Sequence, residues 1–172
     1  DSFRLLGQGV LAGGIPIPVL IIILVALAGY VVLNRTRLGR YAYAIGSNLE
    51  AARLSGIPVR RYLTSVYVIS GALAGFGGMI AASRVASGQP NFGIGLELDV
   101  IAAVVIGGAS LFGGQGTILG TLIGAFLIAL IRNGSVLLDV NTYYQQIIIG
   151  VVIWLAVYRD QFRRKRLAAE TE

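Results

Sequence analysis

The chain has 172 residues, of which 56% are hydrophobic and only 13% are charged. Soluble globular chains carry about a quarter charged residues, so this composition excludes an ordinary soluble domain and indicates a bilayer as the solvent. The absence of Cys and His excludes a disulfide framework, a Cys or His metal site, a thiol nucleophile and an imidazole base. The net charge of +6 does not indicate a nucleic-acid partner, because the basic residues lie in gaps between membrane-length apolar runs.

The first predicted element is the apolar run from Ile15 to Leu33, which follows 14 mixed residues without a helical or strand period. Its 19 residues, at about 1.5 Å each, cover most of a hydrocarbon core about 30 Å thick. Pro16 and Pro18 cost little at the start of a helix, where the first amides have no partner. The sequence before this run does not look like a signal peptide, and we expect a piece of something longer.

A polar island, residues 34–61, follows, and its centre has the signs of a short helix. Ser47 with Glu50 three residues later fits a capping box, Gly56 suits the left-handed position that closes a helix, and Pro58 prevents continuation. The pattern predicts a helix of about two turns. A helix that short is marginal in water and needs a surface on which to rest.

The side chains of this predicted helix indicate a docking element. Ala51 and Ala52 allow another backbone to come close. Leu54 offers an apolar contact, and Glu50 and Arg53 add opposite charges. We predict that the helix fills a groove on a partner. The alternative is a connector that rests on its own protein.

The second predicted span, Tyr62 to Ser83, contains no charged residue. Small residues form two neighbouring rows along it, and helices in lipid associate through such rows by close van der Waals packing. The rows are Gly71 with Gly75, and Ser70 with Ala74 and Gly78. This face is predicted to pack on other helices, and a turn-rich loop follows from Arg84 to Leu96.

Between Asp99 and Arg132 lie 32 residues without a formal charge, whereas two full helical crossings need about 40. Glycines interrupt the run at 107–108 and 113–116, and the second interruption is a poor helix former. Non-helical backbone at membrane depth must be buried in protein or line a wet cavity. We therefore expect two short helices or a re-entrant pair. The second piece carries a small-residue row for packing: Gly116, Gly120 and Gly124.

The last predicted span, Tyr143 to Tyr158, follows a polar loop over residues 133–142 and has aromatic residues near both ends. The tail, residues 159–172, is strongly basic and is expected to be a solvated, partly disordered cytoplasmic end that fixes topology. Together the polar island and the tail hold 11 of the 14 basic residues, so both are predicted to be cytoplasmic.

This placement requires an even number of crossings between the island and the tail, which excludes one long helix over residues 100–131. The sequence thus predicts an all-α integral membrane fold of about five spans, with a short-helix or re-entrant pair broken by glycines. We expect a single transmembrane domain over residues 1–172, with an external N-terminus and a cytoplasmic C-terminus.

The residue types favour transport over catalysis. The acidic residues in or beside the spans, Glu97, Asp99 and Asp139, lie near the predicted outer ends. Glu97 with Asp99 suits a cation or a sugar hydroxyl, although interfacial solvation is the commoner explanation. The sequence has no GxxxxGK[ST] phosphate loop, so ATP binding of that kind is not expected in this chain. We expect no catalytic activity, cofactor or metal; a passive pore and a membrane scaffold are the rival classes.

Four stretches resemble one known family: residues 38–57, 87–91, 97–108 and 144–146. They are similar to the permeases of ATP-binding cassette transporters for sugar uptake, the ribose and xylose group. The resemblance covers nearly the whole chain, and it places the chain with the C-terminal half of those permeases, which have roughly ten spans. Branched-chain amino acid permeases share the Gly-rich segment more loosely, and the turn Gly88 to Asn91 favours sugars.

The resemblance implies partners and a site. It implies a bacterial inner-membrane protein that works with an ATP-binding cassette ATPase, an extracytoplasmic sugar-binding protein, and a second permease copy or other permease half. In the family, the segment equivalent to Ser47 through Gly56 is a cytoplasmic coupling helix that docks into the ATPase. The candidate coupling residues are Ser47, Asn48, Glu50, Ala51, Ala52, Arg53, Leu54 and Gly56.

We also predict that a small neutral sugar passes beside the glycine-broken segment, because exposed backbone in a bilayer must face protein or water. The candidate pathway residues are Gln89, Asn91, Asp99, Gly107, Gly108 and Gln115, the first three near the external mouth. The alternative is that the glycines only allow helices to pack.

Overall fold

The computed structural model describes residues 2–10, 14–85 and 93–169, and its regular structure within those ranges is helical, with one isolated bridge between Val10 and Pro16. The predicted all-α fold is therefore confirmed. Contacts group the chain into two compact units, residues 1–92 and 93–172. The single transmembrane domain expected over the whole chain stays a prediction.

The first unit contains five helices in its described residues. They are α1 (Ser2–Gln8), α2 (Ile17–Arg35), α3 (Arg37–Ser47), α4 (Leu49–Leu54) and α5 (Val59–Val85). Helices α2 and α5 contain nearly all of the two predicted spans and are about 28 and 40 Å long from their 19 and 27 residues. Helix α5 is longer than predicted because its first turn takes in residues 59–61 of the polar island.

Helix α1 forms where the sequence shows no period, and a polar contact attaches it to α5. The fully buried Ser83 hydroxyl donates to the Phe3 carbonyl and accepts a hydrogen bond from the Gly7 amide at 2.9 Å. Gly7 lies so close to the backbone of Arg84 that a Cβ would overlap it. These contacts are tertiary, which explains why periodicity did not indicate the helix.

The small-residue face predicted on α5 has no neighbour among the described residues of its own unit. Gly71, Gly75 and Gly78 are exposed, and a Cβ built at each would meet no atom within 4 Å. The predicted packing contact is therefore not made by another described helix of the first unit.

The second unit contains α6 (Leu96–Ile106), α7 (Ile118–Leu137) and α8 (Thr142–Ala169) in its described residues. The predicted break is confirmed, since non-helical backbone runs from Gly107 to Thr117. The two pieces are unequal, because α6 has 11 residues and α7 has 20, or about 16 and 30 Å. We call these two helices the α6–α7 pair.

Helices extend into two predicted polar segments. The predicted loop over residues 133–142 begins too early, because α7 continues to Leu137 and the Gly134 carbonyl still accepts from Leu138 at 3.0 Å. In the predicted tail, α8 continues to Ala169, and the cytoplasmic placement of the tail stays a prediction. Residues 159–169 contain neither Gly nor Pro and are mostly good helix formers, which explains the continuation.

Close backbone approach joins α6 to α7. Gly124 lies against the Ala103 carbonyl and Gly120 against the Gly107 carbonyl, so a Cβ at either glycine would overlap the opposite backbone. Both glycines belong to the predicted small-residue row, whose packing role is confirmed here. A buried apolar cluster fills the same region: Ala102, Ala103, Ile128 and Ile149.

Among the described residues, three helices are long and apolar enough to cross a membrane: α2, α5 and α7. The apolar part of α8, Tyr143–Tyr158, is shorter, and α6 is shorter still. The total of five spans and the re-entrant path stay predictions.

Candidate docking site at the short helix α4

The site begins where α3 turns away from the end of α2. Thr36 interrupts the helical backbone with φ −105° and ψ 164°, and its hydroxyl donates to the Val32 carbonyl at 2.6 Å. Gly39 lies directly against Leu33, where a Cβ would overlap the Leu33 carbonyl. The missing side chain thus lets α3 fold back tightly on the last turns of α2.

A small apolar core then joins α3, α4 and α5. We call it the α4 base, and it consists of buried Ile45, Ala52 and Val59 with Tyr41, Ile57 and Tyr62 packed against them. The rings of Tyr41 and Tyr62 meet edge to face, with centroids 4.7 Å apart and planes at 80°. That geometry is favourable for aromatic pairs beyond the area they bury. The core provides the surface that so short a helix needs.

Asn48, and not Ser47, caps the start of α4. Ser47 is the last residue of α3, whereas the Asn48 side-chain oxygen accepts a hydrogen bond from the Ala51 amide at 3.0 Å. The predicted capping box of Ser47 with Glu50 is therefore wrong by one residue. Asn is at least as good an N-cap as Ser, and Asn48 has the extended backbone that the cap position requires, with φ −153° and ψ 104°.

Gly56 ends α4 as predicted. Its φ of 76° lies in the left-handed region. The Gly56 amide donates to the Arg53 carbonyl at 2.9 Å, and the Ile57 amide donates to the Ala52 carbonyl at 3.1 Å. This pair of bonds is a Schellman motif, in which the residue after the glycine also packs back on the helix. Both ends of α4 are thus satisfied within its own chain.

The side chains of α4 divide into an inner and an outer face. Ala52 is only 4% exposed and packs in the α4 base, so it is not open to a partner in this arrangement. Leu54 is 83% exposed and Leu49 is 43% exposed. Glu50, Ala51 and Arg53 are exposed as well. An apolar residue at the tip of a capped helix, flanked by opposite charges, is suited to insertion into a groove.

The structure describes only part of the second predicted site. Gln89 and Asn91 lie outside the described residues. Asp99, in the first turn of α6, is buried, and its Oδ2 lies 2.6 Å from Nη2 of Arg132 on α7. Sequence reasoning missed Arg132 as the partner of Asp99, although these two charges border the long uncharged run.

The other predicted pathway residues lie in the break between α6 and α7. Gly107 is in the close contact with Gly120, which supports the packing interpretation at that position. Gly108 has φ 87° and no atom within 4 Å of a built Cβ. Gln115 is exposed, and its main-chain oxygen accepts a hydrogen bond from Ser110 at 3.1 Å. A water-lined route beside these residues stays a prediction.

Comparison with known proteins identifies relatives that match most of the chain. Residues 2–157 match the family model described as branched-chain amino acid transport system / permease component. The ribose import permease protein RbsC of Escherichia coli K12 is 52% identical over 147 residues, which are 86% of this chain and 46% of the relative. RbsC of Haemophilus influenzae is 44% identical over 162 residues, covering 94% and 50%.

The xylose transport system permease protein XylH of Escherichia coli K12 is 46% identical over 153 residues, covering 89% of this chain and 39% of the relative. The chain therefore spans half or less of the length of these curated relatives. No solved structure matches it.

Proposed function

The chain belongs to the family of permease components of the branched-chain amino acid transport system, and from that premise we propose that it is a membrane-spanning component of an ATP-driven importer of a small sugar. The observation that carries the proposal is the outer face of α4, which rests on a fixed base beside two membrane-length helices. ATP is bound by a separate subunit, into which this face docks.

The α4 base provides the mechanical connection that coupling requires. Ala52 on α4 packs with Ile45 on α3 and Val59 on α5. Helix α3 is in turn held against α2 at Gly39 and Leu33. Because well-packed cores resist deformation, a push on α4 displaces the ends of α2 and α5 together. Motion of the ATPase would thereby reach both membrane-length helices of the first unit.

The remaining partners are proposed from the resemblance to permeases for sugar uptake. An extracytoplasmic sugar-binding protein delivers the solute, and a second permease copy or other permease half completes the pathway. The chain lies in the bacterial inner membrane as a multi-pass protein with a cytoplasmic C-terminus. The exposed glycine face of α5, at Gly71 and Gly75, is the place for a helix from the other permease half.

A pentose is the favoured solute class because the relatives at 44–52% identity are named for ribose and xylose. The description of the family model keeps branched-chain amino acids as the alternative class. Uptake of labelled ribose and of labelled leucine in the same reconstituted system separates the two. Uptake of leucine without uptake of ribose would favour the amino acid alternative.

The pathway is proposed to run beside the break between α6 and α7. Gly108 and Gln115 contribute an open, non-helical surface there, and Asp99 with Arg132 lies at the other end of α6. Because the chain contains no Cys, one Cys introduced at Gln115 is a clean probe. Labelling by a polar thiol reagent that changes with ATP turnover supports the pathway. Complete protection in every state favours packing alone.

Reconstitution tests the function as a whole. The chain is placed in liposomes with an ATPase subunit, a ribose-binding protein and, in a parallel series, the missing permease half. Uptake of labelled ribose that needs ATP and both soluble partners supports the proposal. Leakage without partners indicates a passive pore, and the absence of flux in every combination indicates a scaffold.

A further inference from the structure

An open groove lies beside the docking site and shares only Arg53 with the candidate coupling residues. It has a volume of about 720 Å³ and runs along the start of α5. We call it the arginine groove; its lining includes Arg53, Ile57, Arg60, Arg61, Leu63 and Tyr67. One end is therefore strongly basic, and the other end is apolar and aromatic.

The three arginines give the groove an uncompensated positive charge. Arg53 lies in the last turn of α4, and Arg60 and Arg61 lie in the first turn of α5. The residues that line the groove include no acidic side chain. Within the described part of the chain, the ion pair is the one between Asp99 and Arg132 of the other unit, and none of the three guanidinium groups lies within salt-bridge distance of a carboxylate. The amino end of α5 adds its positive dipole to the same place.

The apolar end of the groove favours an anionic ligand that also carries an apolar part. Leu63 is 40% exposed and Tyr67 is 76% exposed, and the sequence from Tyr62 to Ser83 contains no charge. An inorganic phosphate or an acidic peptide would use the arginines and leave these apolar surfaces in water. A phospholipid uses both, because its phosphate meets the guanidinium groups while its acyl chains follow Leu63 and Tyr67 down the helix.

We propose that the arginine groove binds the head group of an anionic phospholipid at the boundary between the polar island and the membrane-length part of α5. This inference rests on the membrane placement of the proposed function. Guanidinium groups suit phosphate because they donate paired, charge-assisted hydrogen bonds. Basic pockets beside membrane helices are known lipid sites, and each basic residue near an anionic surface is worth about fivefold in affinity. The bound lipid would fix the start of α5 next to the α4 base.

The test compares two double variants of equal charge. Wild-type chain, R60Q/R61Q and R37Q/R40Q are purified in neutral detergent and titrated with phosphatidylglycerol or phosphatidylcholine. Bound lipid is counted by native mass spectrometry. Arg37 and Arg40 are exposed residues of the same polar island that do not line the groove, which makes them the matched control.

Phosphatidylglycerol is expected to bind the wild type in preference to phosphatidylcholine. R60Q/R61Q should weaken that binding about 25-fold, from about fivefold for each arginine, whereas R37Q/R40Q should change it less than about twofold. Equal loss in the two double variants would overturn the proposal, because it would indicate diffuse charge attraction. Unchanged binding in R60Q/R61Q would overturn it as well.

Two further arms separate the sources of the anion. Inorganic phosphate at matched ionic strength should not displace the lipid; displacement at millimolar phosphate would indicate a soluble-anion site and contradict the proposal. Loss of ATPase binding by R60Q/R61Q with normal lipid binding would assign the groove to the protein partner instead. Alkaline extraction of membranes tests placement separately, since release of the wild-type chain would refute the membrane premise itself.

Discussion

The α4 base and the α6–α7 pair are both small contact regions, but they are assembled in opposite ways. The α4 base is built from consecutive elements of the chain. Its residues, the N-cap of α4 and the Schellman motif of α4 all come from the polar island and its immediate neighbours. The α6–α7 pair is joined by contacts between backbones and charges at distant positions, such as Asp99 with Arg132. Local patterns in a sequence therefore describe the first region much better than the second.

The largest expected effect is at the closest backbone approach in the α6–α7 pair. Gly124→Ala places a Cβ against the Ala103 carbonyl, so one of the two backbones must shift to accommodate it. We expect a loss of about 3 kcal/mol in the free energy of unfolding, as in overpacked cores. The measurement is denaturant unfolding of the chain in detergent, followed by circular dichroism.

Gly134→Ala is the control, because it lies on the same helix with no atom within 4 Å of the added Cβ. That variant should be neutral or slightly stabilising, since Ala is the better helix former. Equal destabilisation by the two variants would mean that the pair is not held by close approach.

The next effect concerns the ion pair. Asp99→Ala leaves Arg132 without its partner. Because the Arg132 side chain is 45% exposed, water solvates the unpaired guanidinium and reduces the loss of stability. We expect about 2 kcal/mol of destabilisation in the same unfolding measurement. Glu97→Ala, at an exposed position of the same helix turn, should change stability by less than about 0.5 kcal/mol.

A double-mutant cycle with Arg132→Ala isolates the pair. The double variant should lose less than the sum of the two single losses, because it leaves no unpaired charge, whereas each single variant does. Strict additivity would show that the contact between Asp99 and Arg132 contributes nothing to holding α6 on α7.

The smallest effect lies at the N-cap of α4. Asn48→Ala removes the oxygen that accepts from the Ala51 amide and should destabilise this region by about 1 kcal/mol. Ser47→Ala, at an exposed position in the last turn of α3, should be close to neutral. Hydrogen exchange at residues 49–54 follows the local opening directly. If Ser47→Ala destabilised the region more than Asn48→Ala, Ser47 would be the N-cap and the predicted capping box would be right.

Some features of these two regions can be predicted from the sequence and others cannot, for physical reasons. The extent of α2 and the positive φ of Gly56 follow from hydropathy and turn chemistry. The predicted cap was Ser47 and the observed cap is Asn48. Both residue types suit an N-cap, and tertiary packing decides between them. Pairing of Asp99 with Arg132 requires knowing that α7 folds back on α6, which no local pattern contains.

The burial of Ala52 in the α4 base could not be predicted from the sequence either. This burial changes how docking must be tested. A small residue can fit a groove on a partner or pack in the core of its own chain. The contact of Ala52 with Ile45 and Val59 shows that Ala52 packs in the core of its own chain. Ala52→Asp would bury a charge in the α4 base and disturb the fold. Leu54, at 83% exposure, is therefore the position that reports docking alone.

The most direct measurement is cross-linking from α4 to the ATPase subunit. A single Cys replaces Leu54 in the naturally Cys-free chain, and the matched control carries its Cys at Leu138, which is 79% exposed at the end of α7. Both proteins are reconstituted with the ATPase and treated with a short reagent that joins the introduced thiol to a lysine amine of the ATPase. Docking of α4 predicts that Leu54→Cys cross-links to the ATPase with a yield that changes during ATP turnover, whereas Leu138→Cys does not. Equal yields at the two positions, or no product at Leu54→Cys while uptake proceeds, would contradict the account.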